Sequence, residues 1–216
     1  MHITFRTVDT SEIGRAHEWH REFASANDAI YPRSKEQFLQ LALDRYVWCA
    51  VSTDDEYLAM SYANYDDVKN EWEIGGLMVA DKMRGKGLGT IMMRVPLAHM
   101  LFNEQPLTWT LPPKIVAHVL TGNDAPRKII PEVGFAFAEH VTIPPEALPG
   151  LRVSDDGMIH GDEFHFEIPD GLTSLADWTA GWNDALKDGT RAEIDLLEGN
   201  TLDDWTVAIR DMAART

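Results

Sequence analysis

Residues 84 to 90 read Arg-Gly-Lys-Gly-Leu-Gly-Thr. Glycine at every second position strips side chains from a short stretch of backbone, a choice that costs conformational entropy on folding. The return is close approach: main-chain N–H groups come directly against a ligand. An apolar run precedes the stretch and a helical pattern follows it, so these amides fall at a helix start. There the helix dipole, Arg84 and Lys86 all favour an anion, and a diphosphate fits. Neither the spacing of a nucleotide P-loop nor the Gly-x-Gly-x-x-Gly of a dinucleotide fingerprint is present. A plain glycine-rich turn from strand to helix is the competing reading.

Other groups with chemical potential read as structure. His17-Glu18-Trp19-His20 places its histidines at i and i+3, where a helical zinc pair needs i and i+4; no metal is expected. Cys49, the only cysteine, sits between Trp48 and Ala50 in an apolar strand and reads as core. His160, Asp162, Glu163 and His165 lie on a late strand, as an acidic mouth or a solvated face. Trp178 and Trp182, at i and i+4, read as packing residues of the tail.

Position for these residues comes from a regular series of elements. Alternation predicts strands over 2–8 and 114–120, and further strands are read over 47–52, 57–65, 72–79, 134–143 and 158–168. Helical spacing and N-cap residues predict helices over 11–26, 34–44, 88–102, 123–133, 173–186 and 202–214, with Pro96 expected to bend or break the third. Short polar turns make the three middle strands antiparallel neighbours, and the later strand–helix alternation implies a right-handed crossover. The fold class is therefore mixed α/β, a mostly antiparallel sheet with helices on both faces. Pro144-Pro145 and Pro149-Gly150 end the pattern. Residues 1–143 form the expected core, and 144–216 the last strand plus an acidic, Trp-containing helical extension packed on it.

Composition bounds the function. Net charge is −16, and residues 151–216 carry 15 acidic against 5 basic side chains. Such a surface repels polyphosphate backbones and argues against general nucleic-acid binding. It suits either solubility alone or attraction of a cationic acceptor. No run approaches the ~20 apolar residues of a membrane span, the first residues lack a signal-peptide pattern, and one cysteine suits a reducing cytoplasm.

Arg-x-x-Gly-x-Gly after an apolar strand, followed by Asn123 and, at the right interval, Gly134-Phe135, resembles the GCN5-related N-acetyltransferase (GNAT) family. The resemblance covers roughly residues 3 to 143. It implies a GNAT-type fold and binding of acetyl-CoA as co-substrate, with the diphosphate on Arg84, Gly85, Lys86, Gly87, Leu88, Gly89 and Thr90. It further implies that the strand before the loop splays at a bulge, where the backbone of Leu77, Met78 and Val79 holds pantetheine and the acetyl carbonyl; Gly75-Gly76 marks such a bulge or a mere kink. Asn123 would contact the pantetheine arm and Arg127 a phosphate. Glu73 matches a glutamate that serves some members as general base, and burial beside Trp72 and Ile74 is expected to raise its pKa. Many members carry a tyrosine as general acid where this sequence has Ile130, which cannot donate; Tyr65, Tyr62 and His118 are the replacements, with water as a further donor. The implied activity is direct acetyl transfer to a primary amine of an unidentified acceptor, small molecule or peptide. The alternative is a catalytically silent acyl-CoA-binding regulatory module. Homodimerisation is common in the family and stays an open expectation.

Overall fold

The computed structural model describes residues 1–216, the side chain of Glu198 excepted. Its strands are β1 (His2–Thr7), β2 (Val47–Ser52), β3 (Tyr57–Asp66), β4 (Glu71–Val79), β5 (Lys114–Leu120), β6 (Phe135–Ile143), β7 (Ile159–Phe166) and β8 (Arg191–Ile194). Its α-helices are α1 (Ile13–Ser25), α2 (Lys35–Leu43), α3 (Leu88–Glu104), α4 (Asp124–Ile129), α5 (Asp170–Ala180) and α6 (Leu202–Arg215). One sheet takes the order β6-β7-β5-β4-β3-β2-β1-β8. Pairing is antiparallel except where β5 joins β4 and β8 joins β1. The mixed, mostly antiparallel sheet flanked by helices is the expected fold class.

Each face of the sheet carries a core. Phe38, Leu41, Val47, Cys49, Met60 and Met78 pack with α1 and α2. Trp48, Ala50, Leu58, Ile74 and Phe135 pack with α3, and the same cluster takes in Leu172 and Leu175 of α5 and Trp205 and Ile209 of α6. Burial of β2 on both faces explains its unbroken apolar run Val-Trp-Cys-Ala-Val. Cys49 is fully buried, and burial pushes its thiol up to about 12, so it packs rather than reacts.

Two expectations are corrected. Pro96 neither breaks α3 nor ends it; the helix runs from Leu88 to Glu104. Proline removes the N–H that Met92 O, four residues back, would accept from. The buried Ser61 hydroxyl on β3 donates to that carbonyl instead. The helix expected over 173–186 starts earlier and ends at Ala180, because Gly181 stops it. The chain then turns through residues 183–190 and adds β8 at the free edge of β1, where Thr4 Oγ1 donates to Glu193 at 3.0 Å. Four residues are too few for an alternating pattern to stand out in sequence.

Candidate functional site

Strand β4 is built to come apart from its neighbours halfway along. Opposite β3, Tyr62 pairs with Gly75 and Met60 with Met78, so Gly76 and Leu77 together face Ser61 alone: a β-bulge. Gly76 takes φ +60°, and a Cβ there would lie 2.0 Å from the Tyr62 ring. Only glycine serves both conditions. On the other side, pairing with β5 stops at Glu73–Val116 although both strands continue. Beyond that point the edge of β4 has no strand partner, and two cavities open beside it, meeting at Ile30, Leu77, Asn123 and Pro126.

The first cavity, about 430 Å³, is walled by Leu77 and Val79, the loop residues Arg84, Gly85 and Gly87, then Leu88, Gly89 and Thr90 at the start of α3, with Asn123 and Ile129 opposite. Gly85 and Gly87 have φ of +77° and +87°. Space around a Cβ at Gly85 is empty, whereas one at Gly87 would touch Lys187 Cγ at 3.0 Å. Gly87 caps α3 without any side-chain hydrogen bond, so the first-turn N–H groups carry no side-chain partner there. Gly89 is bare for a different reason: its Cβ would fall 2.8 Å from Ile129 Cδ1, so its absence lets α3 and α4 touch.

The second cavity, about 320 Å³, has charged walls: Arg33, Glu73 and His118, with Tyr31, Tyr62, Asn64 and Lys69. Glu73 Oε1 lies 3.2 Å from His118 Nδ1, and His118 Nε2 lies 3.2 Å from Glu163 Oε2. Glu163 Oε1 meets His165 Nε2 at 2.6 Å. These four side chains cross three adjacent strands, from the cavity to a ring that is 39% exposed. A Cβ at Gly75 would sit 3.4 Å from the Glu73 carboxyl carbon; its absence leaves space beside the acid.

Electrostatics here correct the expectation for Glu73. Burial does push its carboxyl up, but the hydrogen bond and charge of His118, with Arg33 and Lys69, outweigh it and hold the group below the usual carboxylate range. For His118, burial acts downward and the two flanking carboxylates raise it above the ordinary imidazole value. The pair therefore sits as carboxylate and imidazolium between the lowered carboxyl value and the raised imidazole value, with a second carboxylate behind.

Of the other residues singled out, Asn123 lines both cavities. Met78 sends its side chain into the core beneath α1 and α2 and lines neither cavity. Lys86 pairs with Asp188 at 3.3 Å and Arg84 with Asp81 at 2.9 Å. Arg127 is engaged by the buried Asp162 on β7 and does not line the first cavity. Tyr65 lies outside both cavities: its hydroxyl donates to Asn70 at 2.9 Å and its ring packs between Trp72 and Trp109. Tyr62, by contrast, lines the second cavity, and burial raises its phenol. Ile130 is buried in the core. His17 and His20 stack on each other and on Phe38 as packing residues, with His17 Nε2 also 3.2 Å from the Arg33 carbonyl. Sequence reasoning missed Arg33, Glu163 as the second partner of His118, and Lys187 at the glycine loop. Each reaches its place through a strand register or a loop path that no local spacing encodes.

Residues 14–104 match the model of the Acetyltransferase (GNAT) family. No curated protein matches the sequence. Among solved structures, that of Arabidopsis thaliana NAA60 with a bisubstrate analogue is 15% identical at a TM-score of 0.53, covering 76% of this chain and 97% of its own. Salmonella typhimurium yncA, a putative acetyltransferase solved with acetyl-CoA, is 15% identical at 0.55, covering 76% and 93%. The ribosomal-protein-S18-alanine N-acetyltransferase of Escherichia coli is 15% identical at 0.52, covering 76% and 92%. At this identity the likeness establishes the fold. No helix among the described residues is long and apolar enough to cross a membrane.

Proposed function

We propose that this chain, a protein of GNAT fold with a GNAT-family segment at residues 14–104, is an acetyl-CoA-dependent N-acetyltransferase that passes acetyl directly to a primary amine. The observation that carries this reading is the opened β4: its bulge lies between a glycine-lined cavity and a cavity holding a carboxylate–imidazole pair.

Residues Arg84 to Thr90 would hold the diphosphate, and the backbone of Leu77 to Val79, with Asn123, the pantetheine arm. Acetyl-CoA supplies an activated acetyl group. The amine nitrogen attacks the thioester carbon; a C–N bond forms and the C–S bond breaks. Main-chain N–H groups on the unpaired edge of β4 are placed for the oxygen that gains charge in this step. A substrate amine of pKa near ~10.4 is mostly protonated at neutral pH, so a proton must be removed. Glu73 receives it, and His118, once neutral, passes it to Glu163 and on to His165 at the surface. A phenol raised by burial stays protonated, so Tyr62 is the side chain of the second cavity suited to give the departing sulfur a proton, and the second proton lost by the attacking nitrogen as the C–S bond breaks restores it. Residues 1–143 serve as the catalytic core, completed by β7, which carries Glu163 and His165 between β5 and β6, and the rest of 144–216 as an extension packed on it. The single buried cysteine suits a cytoplasmic setting.

Calorimetric titration with acetyl-CoA, followed by thiol release over an amine panel, tests the proposal. Binding with turnover of one amine class, abolished by Glu73→Gln with binding retained, is the expected result. Absence of acetyl-CoA binding would overturn it.

A further inference from the structure

We propose that the acceptor carries a carboxylate beside its amine, as a free amino acid does, and that Arg33 binds this carboxylate; the proposal rests on the acetyltransferase reading above. Arg33 lies on the wall of the second cavity with its side chain only 10% exposed. Its Nε has no hydrogen-bond partner. The nearest carboxylate oxygen, Glu73 Oε2, is 3.8 Å from Nη2, beyond hydrogen-bond range. A guanidinium cannot shed its charge, and it presents a planar fork matched to a carboxylate. Beside a side-chain hydrogen bond with Tyr62 and the longer pairing with Glu73, the buried Nε–H is left for a ligand to complete, and leaving it unmade is costly.

The fork is also held in place. Its guanidinium stacks on the Tyr62 ring at 4.1 Å, the same ring that leaves no room for a Cβ at Gly76. Its carbonyl is met by His17 Nε2 at 3.2 Å. The next residue, Ser34, caps α2 in a capping box with Gln37. Arg33 is thus preorganised beside the bulge where transfer would occur, with its charge set next to the proposed base.

The two charges 3.8 Å apart match a zwitterion in reverse. Ammonium addresses Glu73 and carboxylate addresses Arg33 when both groups sit on one carbon or on adjacent carbons. The reaction leaves the carboxylate unchanged and yields the N-acetyl amino acid, the CoA thiol and the proton carried off through Glu73. A peptide N-terminus offers a neutral amide at the corresponding place, and a polyamine or aminoglycoside offers no anion. Either would displace water from the fork without replacing its hydrogen bonds, the situation in which sites reject an analogue most strongly. The acidic surface of residues 151–216 is therefore not the determinant of the acceptor.

The test compares free amino acids with their carboxamides and decarboxylated amines in a thiol-release assay at saturating acetyl-CoA. Wild type, Arg33→Gln and Arg33→Lys are measured, with acetyl-CoA affinity titrated for each. At least one amino acid should exceed its carboxamide by about 100-fold or more in kcat/KM. Arg33→Gln should erase that ratio by raising KM for the acid, with acetyl-CoA affinity unchanged, and Arg33→Lys should restore part of it. Turnover of carboxylate-free amines as good as that of the acids overturns this proposal and leaves the acetyltransferase reading standing. Turnover of no carboxylate-bearing amine despite acetyl-CoA binding also overturns it. Failure to bind acetyl-CoA removes both. Should Arg33→Gln not fold, the ratio in the wild type decides alone.

Discussion

The two cavities that meet at Leu77 are built from different materials. The first takes half of its lining from one continuous run, Leu77 to Thr90, which includes glycines at positive φ and the start of α3, where no side chain caps the helix. The second takes its charges from separate places, Arg33 before α2, Tyr62 on β3, Glu73 on β4 and His118 on β5. A cofactor common to many reactions needs only amides and the absence of side chains. An acceptor peculiar to one reaction needs side chains of chosen charge, gathered across the sheet. A bulge at Gly76 separates the two and belongs to both, since the same Tyr62 ring limits the backbone and supports Arg33.

If this division of labour is right, the two ends can be damaged independently. The largest effect should come from Glu73→Gln, which lowers kcat by about 10²–10⁴-fold and leaves acetyl-CoA affinity in calorimetry as it was. A matching loss of affinity would break the comparison. Next, Gly87→Ala forces an alanine into the left-handed region, at a cost of about 1–2 kcal/mol. It should weaken acetyl-CoA roughly tenfold while KM for the acceptor stays constant.

The third probe is pH. The carboxylates of Glu73 and Glu163 raise the His118 pKa above its ordinary value against the effect of burial, so imidazolium persists to higher pH and blocks proton transfer. Activity should therefore climb with pH through that raised value. Glu163→Gln removes one stabilising carboxylate, so the rising limb of kcat/KM moves to lower pH; a limb that stays in place would exclude His118 from the proton path. A smaller effect is expected from Lys187→Ala, which removes a cation beside Gly87. Acetyl-CoA affinity should fall by a factor of about 2–5, less at high salt, as for other exposed charge pairs. The last is a control. Ser61→Ala leaves Met92 O unpaired in the core and should cost about 1–3 kcal/mol of stability, read as a melting temperature lower by a few degrees, with both sites working normally.

Legibility followed the same division. Strands β2 and β5 stand where they were expected, and β4 and α3 within two residues, because an apolar strand and a 3.6-residue stripe repeat their signal along the chain. The glycine loop was legible because a positive φ demands a particular residue at a particular position. Glu73 was found through the family resemblance, but the direction of its pKa was misread, since the partner that decides it, His118, is 45 residues away in the chain. The break expected at Pro96 was misjudged for the same reason: the hydroxyl that satisfies Met92 O belongs to β3. Tyr65 was chosen by type, and its neighbours Trp72 and Trp109 turn it to packing.

By itself the sequence determined what depends on neighbours along the chain: the order of strands and helices, the bare backbone of residues 84–90, the excess of acid in the last third. Tertiary structure alone decided which side chains face one another across β4, β5 and β7, which arginine stands beside Glu73, and how the segment before β8 returns to set Lys187 against Gly87. The physical reason is range. Backbone conformation is set within a few residues by sterics, whereas the ionisation and pairing of a buried charge are set by whatever the fold brings within a few ångströms of it.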